Sequence, residues 1–196
     1  MFHNIPAQIQ ECMRDLEARD AVERLGNLPK ERRLAQVPPE VGKFIALMCS
    51  NAPRGMVFDI GTSGGYSGLW LSLACAQRGD KLTTFDIQEE KVLMAQKTFA
   101  EAGVDSFVKV IHGDVRNHIS RFPPTAFIFL DAEKDVYLDC YEYIIPNLVS
   151  GGMLIANSAL SQTQQLSLYL HRAYQDPRVD VLILPLGKGL LVCRKC

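Results

Sequence analysis

No stretch of this chain stays apolar for the roughly 18 to 20 residues that a membrane-spanning helix needs. The opening residues mix Glu11, Arg14, Asp15, Glu17 and Arg19 with their apolar neighbours, which excludes the uninterrupted apolar core of a signal peptide. The expectation is a cytoplasmic protein with no membrane partner. An excess of one charge is missing too: 21 basic residues face 22 acidic ones, for a net charge of −1. No overall field would draw the protein to nucleic acid or an anionic surface, so a small molecule is the expected partner. Cysteine occurs at positions 12, 49, 75, 140, 193 and 196 but without zinc-site spacing. Cys193 and Cys196 form a C-x-x-C pair that ends the chain, lacks a second pair and opens no helix, so all six thiols are expected to be reduced small hydrophobes. His3, His112, His118 and His171 have no spacing that makes a metal cluster, and the lone Trp70 reads as core. Also absent are the G-x-G-x-x-G fingerprint of dinucleotide binding, the G-K-[ST] of a phosphate loop and any Tyr-x-x-x-Lys pair.

What remains is one α/β domain. A chain of 196 residues, 47% hydrophobic, can bury one substantial core and is short for two. Residues 1–52 read as an N-terminal helical segment capping a 53–196 core. Within it, Ile5, Ile9, Met13 and Leu16 recur at helical spacing, 25–38 reads as a polar connection, and a second helix starts at Pro38-Pro39-Glu40. That first helix is expected to pack on the body or on a second subunit, which makes a homodimer the expected assembly. Beyond Pro53, strand candidates at 56–60, 81–86, 108–112, 126–131, 153–157, 179–184 and 189–194 alternate with helical patterns at 65–78, 88–102, 114–121, 135–146 and 162–176. Strict alternation implies right-handed crossovers and a parallel sheet covered on both faces. Only Pro185 to Lys188 separates the last two strands, so they must form a hairpin. The prediction is a doubly wound, seven-stranded, mostly parallel sheet with a C-terminal antiparallel hairpin. Ligands of such sheets sit beyond the carboxyl ends of the strands, where strand order reverses.

The residues expected at that edge carry chemistry. The first strand runs through Asp59 into Gly61-Thr62-Ser63-Gly64-Gly65-Tyr66-Ser67, where glycines let the backbone approach a ligand and a helix N-terminus offers free N–H groups. Asp59 would repel a phosphate and favour a cationic amino group. Asp86 closes the second strand, where a carboxylate can accept both hydroxyls of a ribose. Asp114, after His112-Gly113, can receive an adenine amino group, cap the turn that follows, or do both. The apolar strand 127–130 ends in Asp131-Ala132-Glu133-Lys134, a carboxylate and an amine suited to bind a ligand and abstract a proton.

Taken in order, Asp59 to Ser67, Asp86 to Lys91, Ala102-Gly103-Val104, His112-Gly113-Asp114, Phe129 to Lys134, Tyr137, Gly151-Gly152 and Gly187-Lys188-Gly189 resemble the successive motifs of the catechol and caffeoyl-CoA type O-methyltransferases. The resemblance spans about Pro39 to Arg194. It implies the class I, Rossmann-like methyltransferase fold and S-adenosylmethionine as cofactor. Asp59, Gly61, Thr62, Ser63, Gly65, Tyr66 and Ser67 would serve the methionine part, Asp86 the ribose, Asp114 and Val115 the adenine, with Ile87, Gly113 and Asp131 as further cofactor positions. It also implies a divalent ion, usually magnesium, on Asp131, and Lys134 as base toward an acceptor hydroxyl. The expected acceptor is small and aromatic, with a catechol the type case.

The chain departs from the pattern after the fifth strand, where Asn157-Ser158 stands in place of Asp-Asn. The metal set would then be Asp131, Asn157 and Ser158. Losing one formal negative charge weakens a hard-cation site, because magnesium favours carboxylates. Three outcomes follow in order of expectation: weak metal binding completed by substrate oxygens, a metal-independent transferase relying on Lys134, and a protein that binds the cofactor without catalysis. A nicotinamide oxidoreductase of similar sheet order is disfavoured by the glycine spacing.

Overall fold

The computed structural model describes residues 1–26, 28–29 and 32–196. A helix α1 (Ala7–Leu25) and a helix α2 (Pro39–Asn51) precede β1 (Met56–Ile60), α3 (Tyr66–Arg78), β2 (Leu82–Asp86), α4 (Glu89–Glu101) and β3 (Val108–His112). Then come β4 (Thr125–Leu130), α5 (Tyr137–Asn147), β5 (Leu148–Asn157), α6 (Ser167–Tyr174), β6 (Val179–Leu184) and β7 (Leu190–Lys195). The seven strands form one sheet in the order β3-β2-β1-β4-β5-β7-β6, parallel except for β7, which runs antiparallel to both neighbours. The expected sheet and hairpin are therefore present.

Side-chain alternation along the central strands divides the core into two layers. On β4, Phe127 and Phe129 face the layer under α1 to α4, while Ile128 and Leu130 face the layer under α5 and α6. All four are fully buried, each adding about 1.5 to 3 kcal/mol of transfer free energy. Trp70 is core, edge-on to Phe2 and Tyr66. Gly42 lets α2 lie against it, since a Cβ there would sit 2.2 Å from the indole.

Several expected boundaries shift. The first helix continues well past Leu16 to Leu25, because Asp20 and Glu23 accept from backbone N–H groups further along the chain and extend its inner face to Glu23. It packs on α3 and α4 through Ile9, Met13 and Leu16. In the connection at 25–38, residues 27, 30 and 31 lie outside the described residues. The pattern at 114–121 is two single 3-10 turns, Val115–Asn117 and Ile119–Arg121, and the helix expected at 162–176 is regular only over Ser167–Tyr174. The fifth strand reaches back to Leu148, with a register shift that lets Gly151 and Gly152 bulge.

Because the chain winds outward from β1 to β3 and returns with β4 on the other side of β1, the sheet reverses between β1 and β4. A crevice must open beyond their carboxyl ends.

Candidate functional site

The loop after β1 is held from both sides of that crevice. Gly61 and Thr62 donate their N–H groups to Phe85 O at 2.9 and 3.0 Å, and Asp131 N donates to Ile60 O at 2.8 Å. Gly61 has φ +104°, and a Cβ there would lie 2.2 Å from the Asp131 carbonyl oxygen, so only glycine fits this approach. Next, Ser63 N donates to Asp86 Oδ2 at 2.8 Å, while Gln88 N donates to Asp86 Oδ1 at 3.0 Å and Gly113 N to Asp86 O at 2.8 Å. The glycine loop, the Asp86 carboxylate and the start of the Gly113 turn thus share one rim. Asp86 keeps further lone pairs for a ligand.

Asp59 lies beneath this rim. It is fully buried, and its Oδ2 accepts from Ser67 Oγ at 3.0 Å and Thr84 Oγ1 at 3.1 Å, with the Thr62 and Thr84 hydroxyls in contact. Its Oδ1 has no partner. Burial without a counter-charge pushes its carboxyl up to about 7, against the two hydroxyl bonds that favour ionisation. Asp59 supports the loop from below and does not reach the crevice.

The crevice is a cavity of about 360 Å³. Of the positions expected from sequence, Gly61, Thr62, Ser63, Tyr66, Ser67, Asp86, Ile87, Gly113, Asp114, Val115, Asp131, Lys134 and Ser158 line it; Asp59, Gly65 and Asn157 stand behind its wall. Gly65, with φ +96°, caps α3 and packs on Phe99 instead. Asp114 caps the turn that follows by accepting from Arg116 N at 2.9 Å, and the Arg116 guanidinium on its carboxylate holds its pKa below the usual range.

One whole wall was not legible as site. Residues 33–37 close the cavity over the glycine loop, with Ala35 left-handed at φ +48°. Buried charges fasten them: Leu34 N donates to Glu23 Oε2 at 2.6 Å, Gln36 N to Asp20 Oδ1 at 3.3 Å, and Lys91 Nζ donates to Arg33 O and, at 3.2 Å, to Ser63 Oγ. Ser63 Oγ in turn donates to Leu34 O at 2.8 Å. Burial pulls the Lys91 ammonium pKa down, with Asp86 and Glu23 opposing. Asp20, Glu23 and Lys91, charged yet nearly buried, were the available signal, but only helix phasing against a known core would have exposed it. Arg116 and Lys188 are further lining residues that the sequence reading did not assign, while Gln162 belongs to the 159–163 loop expected on the acceptor side.

At the other end, where β4 and β5 stop, Lys134 Nζ donates to Ala132 O at 2.8 Å and to Tyr137 Oη at 2.7 Å, and lies 3.4 Å from Asp131 Oδ1 and 4.5 Å from the Tyr137 ring centre. Tyr137 Oη itself lies 3.3 Å from both Leu130 O and Asn157 O. Asn157 Nδ2 donates to Asp131 Oδ2 at 2.9 Å. Burial lowers the Lys134 pKa, with Asp131 partly restoring it; burial also raises the Tyr137 hydroxyl well above its usual value. The expected metal set does not fit a divalent ion here. Asp131 is its only carboxylate, both its oxygens already face nitrogen donors, and the described residues contain no group of three His, Cys, Asp or Glu able to hold one. No helix among the described residues is long and apolar enough to cross a membrane.

Comparison with known proteins agrees with this fold. A protein of Mycobacterium avium, provisionally assigned as an O-methyltransferase, is 25% identical and aligns over 95% of this chain and 92% of its own length. Among solved structures, the Bacillus cereus O-methyltransferase in complex with S-adenosylhomocysteine superposes with a TM-score of 0.79 at 21% identity, covering 95% of this chain and 91% of that one. The S-adenosylhomocysteine-bound methyltransferase of Podospora anserina gives 0.81 at 19% identity, covering 98% and 89%. The profile of one family, described as O-methyltransferase, matches residues 5–196, and the chain belongs to that family.

Proposed function

We propose that this enzyme binds S-adenosylmethionine in the crevice between β1 and β4 and methylates a hydroxyl of a small, aromatic acceptor of catechol-like type. The reading rests above all on one contact: the glycine loop and the Asp86 carboxylate meet through Ser63 N at 2.8 Å at one end of a single cavity whose other end holds Lys134. Asp86 would take the ribose hydroxyls, and Ile87, which is more than half exposed, with Val115 would offer apolar surface to the adenine beside Asp114. Ser67 and the N-terminus of α3 would serve the amino-acid end, with Asp59 as the buried support of the loop that carries them.

When bound, S-adenosylmethionine would supply a methyl group on a sulfonium sulfur, open to in-line attack at the methyl carbon by the acceptor oxygen, with S-adenosylhomocysteine as the leaving group. The chain's residues then have two tasks. They hold the acceptor oxygen close to the methyl carbon, which turns an encounter between two molecules into an intramolecular step. They also take its proton: Lys134 in its amine form accepts it, becomes an ammonium and remains beside the oxygen, balanced by Asp131. Burial makes that amine form more accessible than on a surface lysine.

Calorimetry with S-adenosylhomocysteine and with NAD tests the cofactor: binding of the former and not the latter is expected, and the reverse would overturn the reading. Turnover on a panel of mono- and dihydroxylated aromatics then tests the reaction. Lys134→Met is expected to lower kcat at least about 100-fold while leaving cofactor affinity within about threefold; full activity would remove Lys134 from its role.

A further inference from the structure

Resting on the cavity assignment above, we propose that the corner where β4 and β5 end is built to work without a divalent ion, the Asn157 amide closing on Asp131 from one side and the Lys134 amine from the other. A hard dication collects oxygen donors and favours carboxylates. Of the three expected ligands only Asp131 is a carboxylate, and each of its oxygens is already occupied: Oδ2 accepts from Asn157 Nδ2 at 2.9 Å and Oδ1 lies 3.4 Å from Lys134 Nζ. An ion entering there would have to displace the Asn157 amide from one oxygen and the Lys134 nitrogen from the other.

The orientation of the Asn157 amide argues the same way. Turning it over would set its oxygen against Asp131 Oδ2 at hydrogen-bond distance, an arrangement that needs a proton or a cation between them. As it stands, Asn157 Oδ1 has no partner, but the side chain is nearly fully buried and does not line the cavity, so that oxygen does not address a ligand there. Ser158, the remaining donor, has a left-handed backbone at φ +71° and is nearly buried, with its carbonyl accepting from Gln162 N at 2.9 Å. Lys134 is fixed by acceptors of its own, Ala132 O and Tyr137 Oη, and cannot swing aside without breaking both bonds. The Lys134 nitrogen is thus held against Asp131 Oδ1, the oxygen that Asn157 leaves open.

The experiment titrates Mn²⁺ into the full chain saturated with S-adenosylhomocysteine, following free Mn²⁺ by electron paramagnetic resonance. The wild type is expected to bind no Mn²⁺ below about 1 mM, and S-adenosylhomocysteine affinity by calorimetry is expected to stay the same in a chelator. Asn157→Asp, which places a second carboxylate against Asp131, is expected to bind Mn²⁺ at least tenfold tighter than the wild type. Micromolar binding by the wild type that Asp131→Asn abolishes would overturn the proposal. So would an Asn157→Asp protein that folds and gains no affinity. If that variant fails to fold, the wild type and Asp131→Asn decide between them. Failure of S-adenosylhomocysteine to bind at all would strike the functional reading instead, while the Mn²⁺ titration would still decide this one.

Discussion

Asp59→Asn tests whether a buried carboxyl stores a pH-dependent penalty beneath the ligand rim. The folded protein holds the Asp59 proton up to about 7, whereas the unfolded chain releases it near the ordinary aspartate value of about 4. Between those values the folded state binds the extra proton. Its contribution to stability is thus complete below pH 4 and is lost as pH rises through 7. At 1.36 kcal/mol per pH unit the full gap amounts to about 4 kcal/mol, of which about 3 kcal/mol falls between pH 4.5 and 8.5. Asparagine does not titrate. Its oxygen can keep the bonds from Ser67 and Thr84, while its amide nitrogen lands where Oδ1 has no partner, at a pH-independent cost of about 1 to 3 kcal/mol. Urea unfolding of both proteins at pH 4.5 and 8.5 gives the difference at each pH, and every other titrating group cancels. The expected result is a shift of about 3 kcal/mol in favour of the Asp59→Asn variant on going to pH 8.5. A difference that does not move with pH would refute the account of Asp59.

The other predictions concern the walls of the cavity. Gly61→Ala places a methyl 2.2 Å from the Asp131 carbonyl oxygen at φ +104° and should cost about 3 kcal/mol or more, read as a Tm lowered by about 6 to 12 °C in a thermal melt. Asp86→Ala should weaken S-adenosylhomocysteine binding about 100-fold or more in calorimetry, since it removes the proposed ribose acceptor and leaves Ser63 N and Gln88 N without theirs. Glu23→Ala takes the acceptor from Leu34 N; hydrogen exchange should quicken at 34–37 while the amides of β4 keep their protection, and unchanged exchange there would mean that Glu23 does not fasten this wall.

Most of the fold was legible because its signals are local. The alternation of strands and helices, the four residues at Pro185 to Lys188 that leave no room for a crossover, and the capping glycines each act within a few positions of the chain. The segment at 114–121 misled for a related reason: His118 and the prolines at 123 and 124 leave too few residues for more than two tight turns before β4 begins. The site divides along the same line. Residues carried to the rim by a strand end, such as Asp86, Asp131 and Lys134, could be named from their position after an apolar run, because the sheet fixes where such ends must lie. The wall at 33–37 could not. It is held by Asp20 and Glu23 from α1 and Lys91 from α4, and no pattern in the chain says which carboxylates of an amphipathic helix turn inward. Asn157 shows the intermediate case. Its identity signalled a change in the metal corner, yet only its amide nitrogen lying 2.9 Å from Asp131, with Lys134 against the other oxygen, gives that change the form of the proposed closure against an ion.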